Sequence, residues 1–470
     1  MTQKKLDPPM SYDKTNEISI MHRAAKLKGR SLNELIEYGE TIIGGTNTKG
    51  YFGQIVEEGY FLIENNNSPL PDFQEAGIEL KVTPMKRTNK GLVSKERLIL
   101  TIINYDEVPE RHFDIFLKKD SHILIVFYLW EENKDIFDYK FLKAVDWRPT
   151  PEELRMIRED WEIIEGYIMR GEAHLLSERH TKYLAACTKG IGHGKDMRSQ
   201  PFSDELAKQR ALSFKASFMT ELFHSHVDVG ETLIDGSTGH QSQSILFGQW
   251  NLGETFEEHV SRMLDRFVGM TCSQIEMELG VDLNSTSKQY YSMLVLSMFG
   301  VTKKKHIKEF DEANISIKTA RIKLTGRPKE STSFPAFKSE ELVNQSWETS
   351  DLFDQLDREL FIPVFQFNTT HPENEDRKSL VFKGAFFWYV PDDDMEVIRG
   401  VWEDTKQKIL EERFDDFVKA SDGRIAHVRP HGKNSLDVDT YNGKKFVKKS
   451  FWLNDTYMME VISNHLQKRQ

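Results

Sequence analysis

The chain has 470 residues, of which 39% are hydrophobic and 11% aromatic, a composition that supports folded cores and excludes general disorder. The formal net charge of −11 argues against a surface uniformly coated with the Lys and Arg that bind nucleic acid. Two cysteines are too few for a cysteine-only zinc site. The chain has no apolar run long enough for a membrane span and no secretory signal. We therefore expect a cytoplasmic protein.

Helical patterns open the chain. Ser31 precedes the amphipathic stretch LNELIEYG as a helix N-cap, and a second helix is expected from about Tyr51. β-rich runs follow, namely AGIELKVT, RLILTIINY, HILIVFYLW and FLKAVDW. A long helix is expected from about Pro151, where Pro-Glu-Glu suits a first turn, and a last helix includes SFMTELF. These elements predict an α/β domain with a mixed central sheet flanked by helices.

The second half of the chain repeats this order faintly. The clearest matching blocks are EAGIELKVT from Glu75 with EANISIKTA from Glu312, HILIVFY from His122 with ELFIPVFQF from Glu359, and TPEELRMIREDWEIIEGYI from Thr150 with PDDDMEVIRGVWEDTKQKI from Pro391. Between the halves, the stretch from His226 is polar and rich in Gly, Ser and Thr, as linkers are. We therefore predict two domains of similar fold, residues 1–225 and 251–470, joined by a linker at 226–250.

Charged residues cluster in the first copy. In GIELKVT, Glu79 and Lys81 alternate with apolar residues and so share one face of a strand. Asp72 follows a proline in a turn-like stretch and is close enough in sequence to fold back beside Glu79. Glu57 lies on an otherwise apolar helix, where a carboxylate that faces the core needs a partner. The alternative interpretation is an inert surface pair, because Glu-x-Lys is common on exposed strands.

Three carboxylates and a lysine that converge would suit phosphodiester hydrolysis. Hard oxygen ligands are those that Mg²⁺ prefers. The metal lowers the pKa of a bound water and stabilises charge on the attacking and leaving oxygens. A nearby lysine can orient or deprotonate that water and stabilise the charge on the phosphate.

The second copy provides an internal comparison. There Leu296, Glu309 and Ser316 stand for Glu57, Asp72 and Glu79, and only Lys318 keeps the type of its counterpart Lys81. If the three acids hold a metal ion, a copy that has no catalytic activity would be expected to lose all of them. The comparison therefore predicts one catalytic copy and one that has lost catalysis.

The segments KGYFGQIVE and GIELKVTP, with Asp72 before the second, resemble the MutH family of DNA endonucleases, whose pattern is an upstream Glu followed by Asp-x₆-Glu-x-Lys. The two-copy layout is similar to the Sau-type GATC restriction endonucleases, in which an active MutH-like domain precedes an inactive one that binds DNA. Four further segments resemble sequences of that group, namely SKERLIL, INYD, TKYLAACTKG and HVRPH. The resemblance implies two tandem restriction-endonuclease-like domains.

The resemblance also assigns roles. Glu57, Asp72 and Glu79 become the metal-site acids and Lys81 the catalytic lysine. Lys119 falls where the family has a second lysine, although its neighbour Lys118 is an alternative. The implied DNA contacts are Lys49, Lys189, Lys318 and Arg429. The family's Arg-Pro-Lys base-reading loop falls on Cys187, Thr188 and Lys189, so the first copy lacks its Arg, whereas the second copy keeps Arg429 and Pro430.

The function that this implies is a type II restriction endonuclease that cuts duplex DNA at GATC, on the 5′ side of the G, with Mg²⁺ as cofactor. One active site per chain cuts one strand at a time, so we expect a monomer in solution and a dimer on DNA. Two alternatives remain. A mismatch-repair-type nicking endonuclease is disfavoured by the extra domain, and a non-catalytic DNA-binding protein by the intact acidic set.

Overall fold

The computed structural model describes residues 12–31, 33–34, 51–63, 70–88, 91–189, 196–226, 228–229, 242–246, 250–251, 253–301, 306–369, 376–432 and 436–467. The chain separates into two compact units. One comprises Met1–Ser242 with Asp311–Ala313, and the other comprises Gln243–Phe310 with Asn314–Gln470. Most of the predicted helix after Ser31 lies outside the described residues, as do Lys49 and much of the predicted linker. Within the described residues, no helix is both long and apolar enough to cross a membrane.

The first unit contains six α-helices and nine strands among the described residues. The helices are α1 (Glu17–Ala25), α2 (Tyr51–Gln54), α3 (Val108–Arg111), α4 (Asp114–Asp120), α5 (Pro151–Met169) and α6 (Ala216–Ser225). The strands are β1 (Glu79–Thr88), β2 (Gly91–Ser94), β3 (Leu98–Ile102), β4 (Ile123–Leu129), β5 (Phe141–Trp147), β6 (Leu184–Thr188), β7 (Met197–Gln200), β8 (Ser203–Lys208) and β9 (Arg210–Phe214).

A mixed sheet of strand order β2-β1-β4-β5 forms the centre of the first unit. β1 runs parallel to β4 and places Glu79 opposite Ile123, whereas β5 is antiparallel to β4. The central strand β4 is almost wholly buried, as its continuous apolar sequence predicts. One face of this sheet packs with α1 and α2 into a core that includes Ile20, Phe52 and Leu80.

A second, antiparallel sheet of order β3-β9-β6 lies in the same unit. The long helix α5 starts at a capping box formed by Thr150 and Glu153, which satisfies the free amides of its first turn. The buried Asp160 of α5 accepts the backbone amides of Lys182, Tyr183 and Leu184 at 2.6, 2.6 and 2.8 Å. Burial raises the pKa of Asp160 to about 6, although these three hydrogen bonds oppose the rise. The helix therefore fixes the start of β6.

The second unit is built from eight described α-helices and the remaining strands. The helices are α7 (Phe256–Asp265), α8 (Cys272–Leu279), α9 (Tyr290–Met298), α10 (Lys308–Glu312), α11 (Ser339–Leu342), α12 (Asp351–Leu356), α13 (Asp392–Leu410) and α14 (Asp455–Gln467). After β10 (Ser242–Gln243), the strands are β11 (His306–Ile307), β12 (Ile315–Ile317), β13 (Ala320–Ile322), β14 (Thr332–Ala336), β15 (Glu359–Gln366), β16 (Val381–Trp388), β17 (Ala426–Pro430), β18 (Val438–Tyr441), β19 (Lys444–Val447) and β20 (Lys449–Leu453).

The second unit repeats the topology of the first. β12 and β13 run parallel to β15, β16 is antiparallel to β15, and an antiparallel sheet of order β14-β20-β17 matches β3-β9-β6. Ser316 of β12 pairs with Leu360 of β15, just as Glu79 of β1 pairs with Ile123 of β4. Ser316 and Glu79 therefore hold matching places in the two units. One difference is local. The continuous strand β1 is matched by β12 and β13, which are interrupted at Lys318 and Thr319.

Candidate active site

Glu57 lies on an irregular helical segment. The α-helix that begins at Tyr51 widens into a π-helix over Ile55–Tyr60, where the amide of Phe61 donates to the carbonyl of Val56 at 2.9 Å. π-helical turns are rare and frequently occur at functional sites. The helix was expected from the sequence, but its wider turn was not.

A tight turn brings Asp72 against the start of β1. Phe73 and Ile78 exchange backbone hydrogen bonds of 2.9 and 3.2 Å, so the intervening residues fold back. The Asp72 Oδ2 atom accepts the amide of Leu80 at 2.9 Å, and the Asp72 amide donates to Glu79 Oε2 at 3.2 Å. The expectation that Asp72 folds back beside Glu79 is what the geometry shows.

Two lysines meet the carboxylate of Glu79. Lys81 Nζ donates to Glu79 Oε1, and Lys119 Nζ of α4 lies 3.4 Å from the same oxygen. Glu79 is only 1% exposed, which is incompatible with a solvated surface pair. The neighbouring Lys118 is exposed, so Lys119 is the lysine of this pair that reaches the cluster.

The cluster carries an excess of negative charge in a poorly hydrated place. Burial raises the pKa of Glu57 to about 7, and the nearby Asp72 carboxylate adds to the rise. Burial also raises the pKa of Glu79, although Lys81 opposes it. For Lys81, burial acts to lower the pKa, but Glu79 and Asp120 outweigh it, and the pKa ends above its usual value. Lys81 is therefore held in its charged form.

Asp120, at the end of α4, is an acidic neighbour that the sequence argument missed. It is fully buried, and neither carboxylate oxygen has a hydrogen-bond partner among the described residues. Burial raises its pKa to about 7, while Lys81 opposes the rise. The sequence feature that could have identified Asp120 is its position in LKKDS, directly after two lysines and before a buried strand.

The donor set fits a hard divalent cation. Glu57, Asp72 and Glu79 offer only carboxylate oxygens, and a cation would relieve the repulsion that raises the pKa of Glu57. The three do not yet form a group with all ligand atoms within 4.8 Å. Within the described residues, the one set that does is Glu17, His122 and Asp146, outside this cluster. Because His122 binds Asp146 at 2.7 Å and Glu17 binds Arg148 at 2.7 Å, that set is already satisfied by protein partners.

The implied DNA contacts have different surroundings. Lys189 is exposed just after β6, whereas Cys187 is fully buried in that strand. Arg429 of β17 stacks on the ring of Trp452 at 3.7 Å, which orients its guanidinium. The structure thus leaves Lys189 accessible and gives Arg429 a supported position.

The second unit lacks the acidic cluster. Ser316 stands where Glu79 stands, and Leu296 lies in the apolar helix α9. The buried Glu309 accepts the hydroxyl of Ser244 and, at 3.0 Å, the amide of Ile245. Lys318 Nζ donates to the carbonyl of Ser333 at 3.3 Å. The pKa of Lys318 is lowered by burial and by Arg358, opposite to the direction for Lys81.

Comparison with known proteins agrees with this geometry. The family model described as "DNA mismatch repair enzyme MutH" matches twice, at residues 61–160 and 300–400, one match in each unit. The mismatch repair proteins MutH of Shewanella amazonensis and Serratia proteamaculans are 28% and 27% identical to this chain. They cover 38% and 46% of it, over 77% and 96% of their own lengths. The fold is that of a MutH-like endonuclease and is present in two copies, of which the first carries the acidic cluster.

The type II restriction enzyme Sau3AI of Staphylococcus aureus is 31% identical over 496 residues, covering 95% of this chain and 98% of that enzyme. The chain therefore belongs to the Sau3AI family of two-domain, MutH-like restriction endonucleases. It is a nuclease of the restriction-enzyme class with DNA as substrate, and its fold is one that uses divalent metal ions.

Proposed function

We propose that this protein is a cytoplasmic type II restriction endonuclease that hydrolyses duplex DNA at GATC with Mg²⁺. The observation that carries the proposal is the buried Glu79 carboxylate, held between Lys81 and Lys119 and bonded to the backbone of Asp72. In the proposal the first unit cuts, and the second unit binds DNA as an allosteric domain through Lys318 and Arg429.

Within this site, Glu57, Asp72 and Glu79 would hold the metal. When bound, Mg²⁺ supplies an activated water and neutralises charge on the phosphate. The chain's own lysines do the remaining work. Lys81 is kept charged by the acids around it, so it donates hydrogen bonds to the attacking water and to the crowded phosphate oxygens. Lys119 keeps the Glu79 carboxylate oriented from α4.

The base contacts are proposed from charge and position. Arg and Lys read guanine through its O6 and N7 atoms in the major groove. Lys189 is exposed after β6, and Arg429 lies within β17, where it corresponds to Cys187 of β6. Lys49 lies outside the described residues and remains a proposed contact on the strength of the family pattern.

The test is cleavage of a supercoiled plasmid with mapped GATC sites. Glu79→Ala should abolish cleavage and spare binding, because the site loses a metal ligand and a lysine partner. The matched control is Glu75→Ala, an exposed residue of the preceding turn, which should cut as wild type does. Cleavage by Glu79→Ala at the wild-type rate would remove the site assignment. A product that stays nicked would favour the mismatch-repair alternative over double-strand cleavage.

A further inference from the structure

A cavity of about 640 Å³ lies within the second unit, beside the interruption between β12 and β13. Its wall includes Ile317, Lys318, Thr319 and Ala320. Because Ser316 and Glu79 hold matching places, Lys318 corresponds to Lys81, and the cavity that Lys318 lines lies beside the position of the acidic cluster in the first unit. The broken strand therefore borders an open space next to the place where the first unit carries its proposed metal-site acids.

The charge of this cavity is opposite to that of its counterpart. Four basic residues line it, Lys288, Lys318, Arg321 and Arg377. The acidic residue of the lining, Glu330, is paired with Arg321 at 2.8 Å. The remaining polar wall is formed largely by Ser and Thr side chains. Cations interspersed with hydroxyl groups are what a phosphate binds.

Aromatic stacking holds two of these cations in position. The guanidinium groups of Arg321 and Arg377 lie 5.7 and 5.0 Å from the ring of Tyr291. Arg377 also donates to the carbonyl of Ser287 at 2.9 Å, but its buried Nε has no hydrogen-bond partner among the described residues. A buried donor without an acceptor is costly, so this one is well suited to a ligand oxygen.

Lys318 gives the cavity a partly buried positive charge. In the first unit the carboxylate of Glu79 neutralises Lys81. Serine replaces that glutamate in the second unit, so Lys318 lacks the corresponding carboxylate. In the described part of the chain its Nζ donates to the neutral carbonyl of Ser333. An anion in the cavity would supply the missing countercharge.

We propose that this cavity is a phosphate-binding site that takes a backbone phosphate of duplex DNA without a metal ion. The inference rests on the proposed DNA-binding role of the second domain and identifies where the contact is made. Replacement of the acids has converted a site for a cation into a site for an anion. Cavities of about 300–1,000 Å³ hold molecules of drug size, so the space admits a phosphate together with its adjoining sugars.

The experiment measures binding of a labelled GATC duplex to the full-length chain in EDTA. Without metal, no ion links DNA phosphates to the carboxylates of the first domain. The proposed contacts of Lys49 and Lys189 are the same in every variant, so differences between variants report on the cavity. Lys318→Met keeps the length of the side chain and removes its charge. The control is Lys383→Met, an exposed lysine of β16 outside the cavity. We expect Lys318→Met to weaken binding about tenfold and to reduce the salt slope by about one.

Lys288→Met provides a second variant at an exposed position, where loss of folding is not a concern. Binding by both cavity variants equal to that of Lys383→Met would overturn the proposal, as would wild-type binding that requires Ca²⁺. Inorganic phosphate, compared with chloride at equal ionic strength, should displace the duplex from wild type. Phosphate binding that depends on Lys318, with unchanged duplex affinity, would assign the cavity to free phosphate instead. Wild-type cleavage of the plasmid tests the proposed function independently. If wild type cuts at GATC but the cavity variants bind as the control does, only the cavity proposal fails.

Discussion

Replacement of Asp120 by Asn should stabilise the first domain at alkaline pH. Asp120 is fully buried, and its carboxylate oxygens have no hydrogen-bond partner among the described residues. A pKa raised from 3.8 to about 7 corresponds to about 4 kcal/mol of lost stability once the folded protein must ionise the group. Relaxation around the charge reduces this, so we expect a gain of about 2–4 kcal/mol at pH 8.

The sign of the pH dependence follows from the two pKa values. Below pH 3.8 the carboxyl is protonated in both states and contributes nothing. Between 3.8 and about 7 the unfolded chain releases the proton and the folded chain keeps it, so the stability of the wild type falls as pH rises. Asn does not titrate, and the difference between the two proteins should therefore be small at pH 4 and largest above pH 7.

Urea-dependent hydrogen exchange of peptides that cover β4 measures this stability within the full-length chain, because the strand is buried in the first domain. Asp114→Asn, an exposed change on the same helix, is the control and should shift the free energy of unfolding by less than about 0.5 kcal/mol. If Asp120→Asn is less stable than wild type at pH 8, the ionised carboxylate is a stabilising partner of the lysines, and the reasoning is wrong.

Three further predictions concern the site and its assembly. Because a proton on Glu57 competes with metal, Mg²⁺ affinity measured by titration calorimetry should fall up to about tenfold per pH unit below pH 7, and Glu57→Gln should lose this dependence. Lys119→Met should lower the single-turnover cleavage rate about 100-fold, whereas Lys118→Met should stay within about twofold, since Lys119 reaches Glu79; equal rates would contradict the geometry. Sedimentation velocity should find one chain in solution and two on a GATC duplex, and a strictly monomeric complex that cuts both strands in one binding event would exclude pairing.

The order of elements was predictable because local signals and tertiary structure agree. Alternation in GIELKVT, the apolar run of β4 and the Pro-Glu-Glu start of α5 each gave the element that forms. The repeat extended this to the second unit, where Asp392 begins α13 as an acidic first turn. The acid at 79 and its lysine neighbour also followed from spacing.

Other features depend on three-dimensional packing and left no local pattern. The π-helical turn that carries Glu57 arises from a change in hydrogen-bond register, which composition does not encode. The burial of Asp120 depends on how α4 meets the sheet. The second-domain cavity assembles residues from distant segments, such as Lys288, Lys318 and Arg377, and no spacing rule connects them.

The interruption at Lys318 and Thr319 limits what one substitution could restore. The second copy differs from the first in its backbone as well as in its side chains, because the strand that corresponds to β1 is not continuous. A glutamate at Ser316 would place a carboxylate on the short strand β12, two residues before Lys318, which lines the basic cavity. We therefore expect that a single substitution at Ser316 would not give the second domain an acidic cluster like that of the first.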